Sequence, residues 1–218
     1  MTLLEFFDKG GILMYFILAT SIIALWVIME KYLVLRRAKM DAGDFMLRLR
    51  SILRQGDTVG AIEYCSRLDV PIARILKRGI MKLHEGDEKI KEAIESAGKM
   101  EVYQLEKRLG LLASTAGIAP LLGFLGTVTG MINAFRTVEV LGGMATAADL
   151  AGGIWEALLT TAFGLIVGIP AYGFYNYFVS RIQHVVFEME ATSEEFLELV
   201  RAHKEILQST ELVKEGRP

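Results

Sequence analysis

From Gly10 to Met29 the chain runs for twenty residues without a charge, GGILMYFILATSIIALWVIM. At about 1.5 Å per residue, a helix of that length crosses a hydrocarbon core of about 30 Å. A second uncharged run, Leu109 to Phe135, has 27 residues, and a third, Ala157 to Ser180, has 24. Three membrane helices are therefore expected, at 10–29, 109–135 and 157–180. The 218 residues are 52% hydrophobic and still 23% charged, so the two kinds are segregated along the chain, which excludes disorder and an ordinary soluble domain. Only Glu5, Asp8 and Lys9 carry charge before the first run. That is not the basic lead of a secretory signal. The run continues into EKYLVLRRAK without a small-x-small cleavage site, and so reads as a retained anchor.

Basic residues near the ends of spans favour the cytoplasmic side. Lys31, Arg36, Arg37 and Lys39 follow the first span, Lys99, Lys107 and Arg108 precede the second, and Arg181 follows the third. Residues 136–156 hold a single base, Arg136. The expected topology places 1–9 and 136–156 outside, and 30–108 and 181–218 in the cytoplasm. Asp44, Gly56 with Asp57, Val70 with Pro71, and Gly86 with Asp87 are start or break signals, each followed by apolar residues at helical spacing. Residues 87–108 contain no proline and lead into the second span, so one long helix is expected there, projecting into the cytoplasm. From Arg181 to about Val213, Ile182, Val185, Phe196, Val200 and Ile206 alternate with Glu, Lys and Arg, an amphipathic continuation of the third helix. No strand pattern competes, and the fold class is an all-α integral membrane protein.

The first span is bulky apart from Ala19, Thr20, Ser21 and Ala24, so lipid is its expected neighbour on most faces. In the second span Ala113, Ala116, Pro120, Gly123, Thr127, Gly130 and Ala134 recur at steps of three and four, on one helical face. Ala157, Thr161, Gly164, Gly168 and Ala171 do the same in the third. Gly126 with Gly130 and Gly164 with Gly168 fit the small-xxx-small pattern of closely packed membrane helices. Such stripes can be packing seams alone. Thr127 and Thr161 lie within them, with Thr160 beside Thr161. Matching small, hydroxylated faces point to a polar crevice or to close contact with another helix.

Other chemistry is missing from the sequence. The net charge is −2, which gives no electrostatic reason to bind nucleic acid. Cys65 is the one cysteine, and the three histidines, His84, His184 and His203, are scattered without metal-ligand spacing. No P-loop and no nucleophile constellation occur. Neither covalent catalysis nor a cofactor is expected. Ion transport would call for ionisable groups in the spans, and none lies inside them. The nearest is Glu156, about 7 Å before Thr161 on a helix. If the protein conducts protons, the titrating group deep in the membrane comes from another chain.

Ile118–Phe135, IAPLLGFLGTVTGMINAF, and Ala151–Asn176, AGGIWEALLTTAFGLIVGIPAYGFYN, resemble the two signature stretches of the ExbB/TolQ family, more distantly related to MotA. GxxGTVxGM precedes EALxxTAxGLxxxIPxxxxYN, with a short loop between. The resemblance implies a bacterial inner-membrane homo-oligomer, a pentameric ring with its N-terminus and 136–156 loop in the periplasm. It also implies an ExbD/TolR-like dimer supplying a membrane aspartate, a TonB- or TolA-like protein beyond that, and lipid around the whole. Protons would drive work on the envelope, of TonB-dependent uptake or Tol-Pal type. Carried over by position, the pore threonines are Thr127 and Thr161 and the helix-end carboxylate is Glu156. Pro120, Pro170 and Asn176 match positions with structural or gating roles, while Gly123, Gly130, Gly164 and Gly168 belong to the packing face by their spacing. Thr160 stands where the family often has a small apolar residue, which would make the pore face more polar. A MotA-like flagellar stator, ordinarily with four spans, and a non-conducting scaffold are the alternative readings.

Overall fold

The computed structural model describes residues 10–38 and 40–215, with side chains as far as Ala202. The expectations for residues 1–9 and Lys39, and for the side chains of His203 and Ile206, lie outside what is described. Seven helices and no strand are present among the described residues: α1 Gly11–Ala38, α2 Ala42–Arg54, α3 Thr58–Arg67, α4 Pro71–Ile80, α5 Asp87–Glu106, α6 Leu109–Val140 and α7 Ala147–Glu215. The class is all-α, and α1, α6 and α7 each contain a stretch long and apolar enough to cross a membrane.

The chain divides into two compact units. One takes the chain as far as Tyr32 together with Arg108–Val179, and the other takes Leu33–Lys107 and the chain from Ser180 onward. The first unit holds the apolar stretches of α1, α6 and α7. Within it α1 buries Met14, Ile17, Ala24 and Val27 and leaves Phe16, Ile22, Leu25 and Trp26 exposed. Those exposed side chains make the face expected to meet lipid.

In the second unit, local sequence sets the helix starts. Asp41 caps α2 by accepting from the Gly43 and Asp44 amides at 3.0 and 3.2 Å, three residues before the expected signal at Asp44. Asp57 accepts from the Gly60 amide at 2.8 Å and opens α3. Pro71 takes the first turn of α4, where its missing N–H has no partner to lose. Gly86, at φ 100°, turns the chain into α5 through a conformation that favours glycine. The core is Phe45, Leu49, Cys65, Ile75, Leu76, Ile80, Ile90 and Phe196, all buried. Gly79 lies so close to Ile94 and Phe196 that an added Cβ would approach Ile94 to 2.8 Å. Ile182, Val185, Met189, Thr192, Phe196 and Val200 are buried along α7, at steps of three and four that confirm its amphipathic continuation as far as the side chains are described.

Three boundaries differ from expectation. The helix over 87–108 does not run unbroken into the next: α5 ends at Glu106, and Arg108 is left-handed at φ 68°. Its guanidinium bonds Glu30 on α1 and lies 5.0 Å from the centre of the Trp26 ring, so a tertiary ion pair holds the break. α1 extends to Ala38, past the uncharged run, because helix geometry does not stop where hydropathy does. For the same reason much of 136–156 is helical, leaving 141–146 as the connection between α6 and α7.

Candidate functional site: a hydroxyl pair between two apolar helices

α6 and α7 run antiparallel along their small-residue stripes, and the closeness of approach follows from the glycines. A Cβ on Gly123 would sit 2.9 Å from the Thr160 carbonyl, one on Gly130 2.6 Å from the Gly153 carbonyl, and one on Gly164 2.6 Å from the Ala119 carbonyl. At such distances something must shift, so backbone meets backbone along the seam. Gly168 lies against the Pro120 ring and the Ala116 carbonyl. That carbonyl is the one a proline four residues on deprives of its helical donor.

On the flank of this seam the Thr127 and Thr161 hydroxyls bond each other. Each also reaches a carbonyl on its own helix and one on the other. Thr127 Oγ1 lies 3.4 Å from the Gly123 oxygen and 3.2 Å from that of Ala157. Thr161 Oγ1 lies 3.1 Å from each of the same two oxygens. The cluster is reciprocal: two hydroxyl protons are shared among two hydroxyl oxygens and two carbonyls. A hydroxyl donates one proton and accepts two, so rotating both hydroxyls reverses the donor direction without moving a heavy atom. Both threonines are half-buried, at the edge of the seam.

Thr160 is placed differently from the expectation that it adds polarity to a pore face. It is fully buried, with its hydroxyl donating to the Glu156 and Ala157 carbonyls at 2.9 and 3.1 Å and its side chain filling the space left by Gly126. It is a packing residue, turned about 100° from Thr161 by helix geometry. Glu156 is half-buried, and its carboxylate lies against Gly11 at the start of α1, where a Cβ would approach Oε1 to 2.7 Å. Among the described residues no hydrogen bond joins that carboxylate to the threonine pair. Pro170 and Asn176 are exposed on α7, off the seam. The structure thus brings together Thr127 and Thr161 of the predicted polar residues, and Pro120, Gly123, Gly130, Gly164 and Gly168 of the predicted packing set. Ala119, Gly126 and Gly153 belong to the seam as well. Gly126 was visible through its spacing to Gly130, whereas Gly153 lies outside the apolar run and gave no such signal.

Residues 67–191 match the model of the MotA/TolQ/ExbB proton channel family. A protein described as an ExbB homologue in Methanothermobacter thermautotrophicus is 28% identical over 190 residues, 87% of this chain and 67% of that protein. An ExbB-like protein of Synechocystis is 34% identical over 78% of this chain and 67% of its own length. The Tol-Pal system protein TolQ of Pseudomonas aeruginosa is 37% identical over 50% of this chain and 47% of its own. The matched region includes the whole seam between α6 and α7 and both hydroxyls. With three apolar helices of spanning length and a family match over more than half its residues, the chain is a multi-pass membrane protein that belongs to the MotA/TolQ/ExbB proton channel family.

Proposed function

We propose that this chain is the proton-conducting subunit of an inner-membrane motor that turns the proton gradient into work on the cell envelope. In this reading it forms a homo-oligomeric ring, a pentamer, around the membrane helices of an ExbD/TolR-like dimer, with a TonB- or TolA-like protein as the next element. The chain itself carries out no covalent chemistry. The observation that carries the reading is the reciprocal Thr127–Thr161 pair, a polar device in otherwise apolar helices.

A charge in hydrocarbon is costly. A proton therefore crosses most readily on a carboxylate that is neutral in transit and ionises at either end, and the partner's aspartate supplies that group. Thr127 and Thr161 then donate to it when it is ionised and accept from it when it is protonated, by the rotation described above. Glu156, near the outer end of α7, stands on the approach rather than at the pair.

The test is proton flux in vesicles holding the chain and its partner. A hydrogen bond to a charged group is worth about 1.5–3 kcal/mol, so Thr127→Val with Thr161→Val should reduce flux by about one to two orders of magnitude. Valine keeps the shape, and the oligomer should keep its mass. Undiminished flux from the doubly substituted protein would overturn the role of the hydroxyls, and no flux from the unsubstituted chain with its partner would favour a non-conducting scaffold. Full flux without any partner would overturn the shared pathway.

A further inference from the structure

Within the second unit, α5 and the 186–197 stretch of α7 enclose a groove of about 520 Å³. Its floor is apolar, formed by Ile94, Val102, Met189 and Leu197, with Tyr103 at the edge. On its rim Lys91 pairs with Glu95 at 3.7 Å, which leaves Glu106, Glu190 and Glu194 against Lys99. The groove is greasy below and acidic above.

The same unit carries a surface of the opposite kind. On α2, Leu47 is 67% exposed, and Arg50 and Arg54 follow it at helical steps on the same face, with Arg48 beside them. Asp44 is the one acid of that helix, in its first turn and away from the arginines. None of the three arginines has an ion-pair partner among the described residues. Val59, 75% exposed at the start of α3, adds a second apolar side chain.

We infer that the α2 face of one copy docks in the α5–α7 groove of the next, with Leu47 on the apolar floor and Arg50 and Arg54 against Glu190, Glu194 and Glu106. Charge complementarity selects a second copy as the occupant, because the chain presents both halves. The two surfaces share no residue, so every copy can use both at once. Head-to-tail contacts of that kind close into a ring when the rotation between copies closes. The inference rests on the homo-oligomer proposed above and specifies its contact outside the membrane.

Cysteine pairing in the full chain tests it. Two differently tagged copies are co-expressed, one carrying Leu47→Cys and the other Tyr103→Cys. Cys65 is buried and does not compete. Oxidation should link unlike copies and leave like copies unlinked. Arg50→Glu with Arg54→Glu on the first copy should lower the yield about tenfold or more, and Glu190→Arg with Glu194→Arg on the second should restore it. An oligomer of undiminished mass without the unlike link, or with a link indifferent to charge reversal, overturns the docking and leaves the ring standing. A monomer by light scattering overturns both. A Tyr103→Cys that links only to a co-purified partner protein assigns the groove to that partner and overturns the inference.

Discussion

Two adjacent threonines carry different roles because a helix turns about 100° per residue. Thr161 reaches the hydroxyl pair, whereas Thr160 fills the gap left by Gly126. Thr160→Val should therefore leave proton flux near that of the unsubstituted protein, while Thr161→Val alone should reduce it clearly. Gly126→Ala tests the packing side of the same contact: its Cβ falls on the Thr160 side chain, and overpacking of that kind costs about 1–3 kcal/mol, readable as a lower midpoint of thermal unfolding in detergent. Cys65 offers a pH test in the other unit. Burial pushes its thiol up from near 9 to about 11, against a smaller opposing effect of Lys77. The native fold then favours the neutral thiol, and its contribution is complete below pH 9 and lost as the pH rises from 9 to 11. Alkylation of the native protein should be slow at pH 8 and fast once it is unfolded. Equal rates would contradict the buried thiol.

At the scale of elements, the break between α5 and α6 is the joint where the chain leaves one unit for the other. The left-handed Arg108 costs about 1–2 kcal/mol, and its ion pair with Glu30 and its contact with Trp26 offset that cost. Glu30 Oε2 is already buried without a hydrogen-bond partner among the described residues, so removing the arginine leaves the carboxylate worse satisfied. Arg108→Ala should destabilise by about 1–3 kcal/mol. Arg108→Gly should cost less, because glycine relieves the backbone, and Glu30→Gln combined with Arg108→Gly should recover most of the remainder. Thermal unfolding of the three variants checks the order. An alanine variant as stable as the glycine one would mean that φ 68° carries no strain.

For the whole molecule, the basic residues flanking the spans predict an orientation that labelling can test. Met144, 86% exposed in the α6–α7 connection, should lie outside, and Gln55, exposed at the end of α2, should lie inside. A membrane-impermeant thiol reagent should label Met144→Cys in cells with a permeable outer membrane, and Gln55→Cys only once the inner membrane is opened. The reverse pattern would invert the expected topology and, with it, the direction of the proposed proton path.

Three uncharged runs at least as long as a bilayer requires were enough to define the membrane helices, because hydrocarbon acts on every residue of a span and writes its demand into composition. The spacing of Gly123, Gly130, Gly164 and Gly168 likewise announced a seam, and Thr127 and Thr161 stood out as hydroxyls on its face. Periodicity, however, assigns a residue to a face only within about half a turn. Whether Thr160 or Thr161 would reach the opposite hydroxyl depended on how far α6 and α7 are rotated against each other, and Gly126 and Gly153 settle that rotation through contacts with the other helix. The break at Arg108 was hidden for the same reason. Nothing in residues 87–108 forbids a continuous helix, and the left-handed turn is stabilised by Glu30 and Trp26, more than seventy residues earlier in the sequence. Local sequence determined which segments are helices and which of them are apolar, since propensity and hydropathy are local. Contacts between helices decided which hydroxyls meet and where a helix ends, since their energies depend on partners distant in the chain.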